Sequence, residues 1–300
     1  MKILLATDGS EYSEGAARLL ARFRFTPDDE ITVLHVVPSL PFKDVWEPHA
    51  TTIKMLRHEL APKITESTAR HLKNSKAKVA SAVTEGHPDR GILDAAVQFG
   101  SDLLVLGARG IKGVKSLFLG SVTRSVAINS PKPVLVAKLP LERNTEALKV
   151  LFATDGSDHA LAAGKFLTTL PFPDITEVTI LHVSASSYMD IPERFSMEID
   201  DRIKGIVAGM KESEFKHVEA ILESAGKLLA GKFPRISALP RSGDPTGEIL
   251  HAAQTEQADI IALGGSGMRG ARGMLGSVAR NILGHAGCSV LIGKTEGAGV

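Results

Sequence analysis

The sequence predicts an α/β protein of two tandem domains, each a parallel sheet covered by helices on both faces. Three observations predict it. First, the chain repeats itself: Ala6-Thr7-Asp8-Gly9-Ser10 returns as Ala153-Thr154-Asp155-Gly156-Ser157, and Leu119-Gly120-Ser121-Val122 as Leu275-Gly276-Ser277-Val278. A repeat this long is a whole domain, because solenoid units recur every few tens of residues. Second, short apolar runs alternate with segments of helical periodicity, as in βαβ units. Third, the runs are almost entirely apolar, as parallel strands are when helices cover both faces. A chain of 300 residues has room for two domains of ordinary size.

Each element can be read in order. Ile3 to Ala6 is a short apolar strand ending just before Asp8-Gly9. Glu14 to Phe23 carries Ala16, Ala17, Leu19, Leu20 and Phe23 at helical spacing, with Ser10 and Ser13 as candidate caps. Ile31 to Val37 is rich in β-branched residues and is stopped by Pro38, where a proline-rich loop runs to Pro48. Residues from about Ile53 to Leu72 read as helix, Lys78 to Thr84 as strand, and Asp89 to Phe99 as helix. Asp102 to Leu106 is a buried strand, Ser121 to Asn129 a helix and Pro133 to Ala137 a closing strand.

The second half repeats the order. It has strands Val150–Ala153, Val178–Val183, Arg235–Leu239, Asp259–Leu263 and Ser289–Gly293, and helices Ser157–Leu170, Gly247–Gln257 and Ser277–His285. The interval between matching residues grows between the pairs Val36/Val183 and Leu103/Ile260, so the second half holds extra residues in its middle. They are expected to lengthen a helix around Ile203 to Leu229 and its approach. The expected division is residues 1–140, a polar linker 141–148, and residues 149–300.

A formal net charge of +1 creates no global field toward nucleic acid or a membrane surface, so neither is an expected partner. Met1 to Ala6 is too short for a signal-peptide core, and no apolar run reaches the ~20 residues of a membrane helix. Cys288 is the one cysteine, which excludes an intrachain disulfide and a cysteine metal cluster. A cytoplasmic protein without a protein-bound metal site is the simplest expectation.

Chemistry concentrates in Gly107-x2-Gly110-x9-Gly120-Ser121, which follows a buried strand and opens a helix. Glycines admit close approach of a ligand, successive N–H groups can form an anion nest, and a helix N-terminus favours negative charge. Arg109, Lys112, Lys115 and Arg124 add positive charge. On these residues alone, a flexible glycine loop with solvated lysines is an equal reading. Asp8, at the carboxyl end of the first strand, adds to the case. Ligands of open parallel sheets sit beyond strand carboxyl ends where the strand order reverses. If the first and fourth strands are neighbours, Asp8 and Gly107 face each other there and Val36 walls the crevice.

At this point the chain resembles the universal stress protein family. The first half matches its pattern G-x2-G-x9-G-(S/T) without a gap. It also has the opening Ala-Thr-Asp-Gly-Ser, the Leu34-His35-Val36-Val37 strand, Gly86-His87-Pro88 and the closing Pro133-Val134-Leu135-Val136. The resemblance covers nearly the whole chain as two copies. It implies two open, twisted, five-stranded parallel-sheet domains of strand order 3-2-1-4-5, an adenine nucleotide alpha hydrolase-like fold. It implies adenine near Asp8 and Val36, ribose near Gly107, and phosphates at Gly110, Gly120 and Ser121, with Arg109 and Val122 alongside. The second-half counterparts are Asp155, Val183, Gly264, Gly267, Gly276, Ser277 and Val278. The implied ligand is ATP, or ADP or AMP, with Mg²⁺ assisting at the phosphates. The resemblance also implies antiparallel pairing of the two closing strands, a pseudo-dimer of the halves, and leaves a homodimer of chains open.

The second copy departs from the pattern. Met268 to Leu275 is one residue shorter than the matching interval, Ser266 replaces Arg109, and Gly265, Gly270 and Gly273 add flexibility. The first site is therefore expected to bind ATP more tightly. Gly265-Ser266-Gly267-Met268-Arg269-Gly270 matches G-x-G-x-x-G, but it follows a fourth strand and lacks the later acidic residue, so it is a coincidence. No P-loop sequence is present. His35 and His182 read as packed strand histidines and Cys288 as buried filler. Arg269, Arg272 and Arg280 suit a phosphate or a solvated face equally, and Trp46 either covers the first crevice or lies on the surface. The expected function is ATP binding in a stress-response role without dedicated turnover. The alternatives are an interaction scaffold that binds no nucleotide, and a slow ATPase.

Overall fold

The computed structural model describes residues 1–39, 47–110, 119–138, 147–184, 201–267 and 275–295. Three sequence expectations fall outside them: most of the proline-rich loop with Trp46, most of the linker, and the two loop centres that carry Lys112, Lys115, Arg269, Gly270, Arg272 and Gly273.

The first half runs β1 (Lys2–Ala6), α1 (Glu11–Leu20), β2 (Glu30–Pro38), α2 (Glu47–Arg70), β3 (Lys78–Gly86), α3 (Pro88–Gln98), β4 (Leu103–Gly107), α4 (Ser121–Asn129) and β5 (Val134–Ala137). The second runs β6 (Lys149–Ala153), α5 (Asp158–Thr169), β7 (Glu177–Ser184), α6 (Asp201–Ala230), β8 (Arg235–Ser242), α7 (Pro245–Thr255), β9 (Ile260–Gly264), α8 (Ser277–His285) and β10 (Ser289–Gly293). The extra residues of the second half do lengthen a helix: α6 has 30 residues against 24 in α2.

Strands follow the order β3-β2-β1-β4-β5-β10-β9-β6-β7-β8. Each half is parallel and has the order 3-2-1-4-5. The halves join where β5 meets β10 antiparallel, with Leu135 opposite Leu291. This pairing turns two potential open edges into the middle of one sheet, where their N–H and C=O groups are satisfied. The strand period of two sends Ile3 and Leu5 to one face, under Leu19 and Leu20, and Leu4 and Ala6 to the other, under Ile92 and Val126. Both cores continue across the seam. On the α1 face, Phe23 and Phe172 lie with centroids 4.9 Å apart, and Arg24 N–H donates to the Pro171 carbonyl at 2.6 Å.

Capping explains where the helices begin. Ser10, not Ser13, caps α1, and the helix therefore starts at Glu11, earlier than the apolar spacing indicated. Its hydroxyl accepts from Ser13 N–H, and Ser13 returns its own hydroxyl to the Ser10 carbonyl at 2.9 Å. Ser157 caps α5 in the same way. Pro88 and Pro245 open α3 and α7, where a missing N–H costs nothing.

Candidate functional site

Two crevices lie at the carboxyl ends of the strands, between β1 and β4 and between β6 and β9. These strands are adjacent, as the crevice argument required. At the first, β1 ends in Thr7-Asp8-Gly9-Ser10. Gly9 has φ +77°, which a side chain strongly disfavours, and its face lies against Ile64 of α2. Asp8 Oδ1 accepts Ser10 N–H at 3.1 Å, and a Cβ at Gly110 would fall on Asp8 Oδ2. The Ser10 hydroxyl donates to the Arg109 carbonyl at 3.3 Å and ties the two loops together. Asp8, Arg109 and Gly110 therefore meet.

The second crevice repeats this with small changes. Gly156 has φ +79° and lies over Ile221. Asp155 Oδ1 accepts both the Ser157 N–H and the Ser157 hydroxyl, and its Oδ2 stands 2.8 Å from where a Gly267 Cβ would be. A cavity of about 370 Å³ opens here, within the usual size of a small-ligand pocket. All seven second-half residues of the sequence reading line it: Asp155, Val183, Gly264, Gly267, Gly276, Ser277 and Val278. Pro245, Ile249 and Leu181 add an apolar wall. Pro245 and Ile249 were missed, although Gly243-Asp244-Pro245 is the repeat of Gly86-His87-Pro88 and could have found them. In the first half, Val36 is buried, and its methyls pack against the Gly91 backbone of α3.

The glycines differ in what they do. A Cβ at Gly107 would come 2.7 Å from Ser13 N, and one at Gly264 would come 2.7 Å from the His159 carbonyl carbon. These two let α1 and α5 approach the strand ends, a packing need that holds with or without ligand. Gly120 N–H donates to the Ala108 carbonyl at 2.9 Å, and Gly276 N–H to the Gly265 carbonyl at 2.8 Å. Both of these N–H groups are thus engaged within the protein.

The starts of α4 and α8 are distinctive. Gly120 and Gly276 cap them without a side chain, and neither first turn contains an acidic residue. Every other helix with a described cap carries Asp or Glu in its first turn: Glu11 and Glu14 in α1, Asp89 in α3, Asp158 in α5 and Glu248 in α7. The first N–H groups of a helix lack intrahelical partners and carry the positive end of its dipole. Among the described residues, no acidic side chain of the first turn neutralises them at α4 and α8.

Side chains distinguish the two crevices. Arg109 lies over the Tyr12 ring at 5.3 Å and donates to its hydroxyl at 3.0 Å. In the second crevice the matching Ser266 is only 7% exposed, and among the described residues its hydroxyl has no hydrogen-bond partner. A buried orphan hydroxyl is costly, and here it lines the cavity. Arg280 donates to the Leu275 carbonyl at 2.9 Å and braces the start of α8. His35 and His182 each place Nδ1 2.8 Å from a backbone carbonyl, those of Thr7 and Thr154, which matches their reading as packed strand histidines. Cys288 is half-buried, and burial pushes its thiol up to about 11.

An open, doubly wound α/β sheet with two glycine-lined crevices at strand carboxyl ends is a fold class that places ligands at such crevices. Within that class the chain belongs to the universal stress protein family, whose pattern matches residues 1–138 and 147–294. A universal stress protein of Methanocaldococcus jannaschii is 31% identical over 152 residues, covering 46% of this chain and 94% of that protein. One of Mycolicibacterium smegmatis is 24% identical over 302 residues, covering 97% and 96%. A solved universal stress protein of Archaeoglobus fulgidus has the same fold, with a TM-score of 0.65 at 22% identity over 99% of this chain and 98% of its own. Among the described residues no helix is long and apolar enough to cross a membrane.

Proposed function

We propose that this protein binds adenine nucleotides, ATP with Mg²⁺ foremost, in both crevices. It would act as a cytoplasmic stress-response module without dedicated turnover, its two halves working as a fused pseudo-dimer. The observation that carries the reading is the pairing, in each half, of an acid-free helix N-terminus with an aspartate across a glycine-lined crevice. The N-termini of α4 and α8 suit phosphate. Asp8 and Asp155 suit the nucleoside end, where a carboxylate accepts from hydroxyl or amino groups. In the second crevice the apolar wall of Val183, Leu181 and Ile249 suits a purine face, and the orphan Ser266 hydroxyl offers a donor.

Several negative charges on ATP exceed what one helix dipole and backbone N–H groups offset. Mg²⁺ carried in with the nucleotide would supply the remaining positive charge. The test is calorimetry of the full chain with ATP and Mg²⁺. Two ATP per chain are expected, with the tighter site removed by Gly110→Val. No heat of binding under these conditions overturns the reading and leaves the interaction scaffold in its place. Phosphate release at a steady rate overturns the absence of turnover and leaves the slow ATPase.

A further inference from the structure

Two lysines cross the seam between the halves. Lys138 follows β5 and Lys294 follows β10, so they are counterparts in the repeat. Lys138 Nζ donates to the carbonyl of Ala286, the C-cap of α8, at 2.7 Å. Lys294 Nζ donates to the carbonyl of Ile128, in the last turn of α4, at 3.3 Å. Each lysine therefore supplies the cation that a helix C-terminus favours, but to the helix of the other half. The backbone of Lys138 is held as well, through its N–H to the Ser289 hydroxyl at 3.2 Å.

Each lysine also stands beside the crevice of its own half. The residue before Lys138 accepts Ala108 N–H, next to Arg109, at 2.8 Å. Burial first, with a smaller push from the nearby Arg109 guanidinium, brings the Lys138 ammonium down to about 8. The stem of Lys294 lies against Gly265, where a Cβ would be 3.4 Å from its Cδ. The two helices these lysines cap open at the opposite crevices: Ser121 of α4 at the first, Ser277 of α8 at the second. Starting from either crevice, the path runs through one lysine and one rigid helix to the phosphate end of the other.

We propose that Lys138 and Lys294 couple the two crevices, so that nucleotide in one weakens binding in the other. This rests on the nucleotide-binding reading above and adds its regulation. A polyanion in the first crevice attracts the nearby Lys138 ammonium, which is poorly solvated where it lies. Lys138 then serves the phosphates at the expense of the Ala286 carbonyl. Helix α8 loses its C-terminal cation and part of its hold on the seam, and its N-terminus in the second crevice becomes a poorer anion site. Lys294 does the reverse through α4. The contest of one cation between two acceptors is the differential interaction that coupling requires.

The experiment is an ATP titration with Mg²⁺ by calorimetry on the full chain and on Lys138→Met, Lys294→Met and Lys138→Arg. Gly110→Val and Gly267→Val versions of each report one site at a time. In the native background, closing one crevice should tighten the other about fivefold, within the usual range of coupling. Lys138→Met should reduce that gain, Lys138→Met combined with Lys294→Met should abolish it, and Lys138→Arg, which keeps a donor for Ala286, should retain it. Lys294→Met repeats the test should Lys138→Met not fold. Two sites that fill independently in the native chain overturn the coupling while leaving nucleotide binding intact. Coupling that survives loss of both lysines overturns their role. Absence of any ATP binding removes the underlying reading and this inference with it.

Discussion

The two crevices share a frame and differ at the residue between their loop glycines. In the first, Arg109 brings a guanidinium held against Tyr12; in the second, Ser266 brings a buried hydroxyl with no partner among the described residues. The first crevice invests in charge and the second in shape, with a cavity of about 370 Å³ walled by Val183, Pro245 and Ile249. What a duplicated domain keeps in both copies is the geometry its fold needs. Gly107 and Gly264 both admit a helix, and Asp8 and Asp155 both cap their own turn. What it changes is the set of groups that meet only a ligand.

The strongest way to break the comparison is to close each crevice in turn. Gly110→Val places side-chain atoms on Asp8 Oδ2 and in the path of the phosphates. It should weaken ATP at the first crevice about a hundredfold, a typical overpacking cost, and lower the calorimetric stoichiometry to one. Thermal unfolding should hardly change, because Gly110 lies outside the core. Gly267→Val should do the same at the second crevice. Equal binding after either change would separate the glycines from the ligand.

Next comes Asp8→Ala, which removes a charged acceptor and should cost about tenfold in ATP affinity at the first crevice, with Asp155→Ala matching it at the second. Inosine triphosphate, which lacks the adenine amino group, sharpens this test. If the aspartate reads that group, the Asp8→Ala protein should no longer distinguish the two nucleotides.

A smaller effect follows from the residue that differs. If Arg109 accounts for tighter binding at the first crevice, Arg109→Ser should lower its affinity about two- to fivefold, from the ~0.5–1 kcal/mol of a partly screened ion pair. The affinity gap between the separately closed variants should shrink accordingly. A second crevice that starts out tighter would show that a preformed cavity outweighs the added charge.

The smallest effect concerns the seam and pH. Lys138 is pushed down to about 8 in the folded protein, chiefly by burial, while the unfolded chain keeps an ordinary lysine. Between about pH 8 and the ordinary lysine value the unfolded chain holds more protons, so this residue adds stability as pH rises through that window. Below it both states are protonated and the burial penalty is felt in full. Relative to Lys138→Met, the Tm of the native protein should therefore gain about 2–4 °C between pH 7.5 and 10. A gap that stays constant would show that Lys138 titrates normally. Over the same range Cys288 should stay slow toward thiol reagents, since its thiol is pushed up to about 11.

Much of this is legible in the amino-acid sequence. The period-two apolar runs and helical spacings are local signals, and they located the elements to within a few residues. The late placing of the start of α1 arose because Ser10 and Ser13 are both good caps by type. Only the turn geometry makes Ser10 the acceptor and Ser13 a donor to it. The seven second-half candidates found through the repeat all line one cavity.

What the sequence by itself determined is the identity of the elements, their duplication and the residue types at each strand end. These depend on local conformational preference and on burial periodicity, which neighbouring residues encode. Only the tertiary structure decided which glycine serves packing and which faces the crevice, because a close approach is made by backbone distant in the chain, as Ser13 is from Gly107. It alone showed that the Gly120 and Gly276 N–H groups are engaged internally, that Tyr12 holds Arg109, and that Lys138 and Lys294 each cap a helix of the opposite half. Such contacts join residues far apart along the chain and have no period to read. Those of Lys138 and Lys294 exist only once β5 has paired with β10 and the two halves have become one sheet.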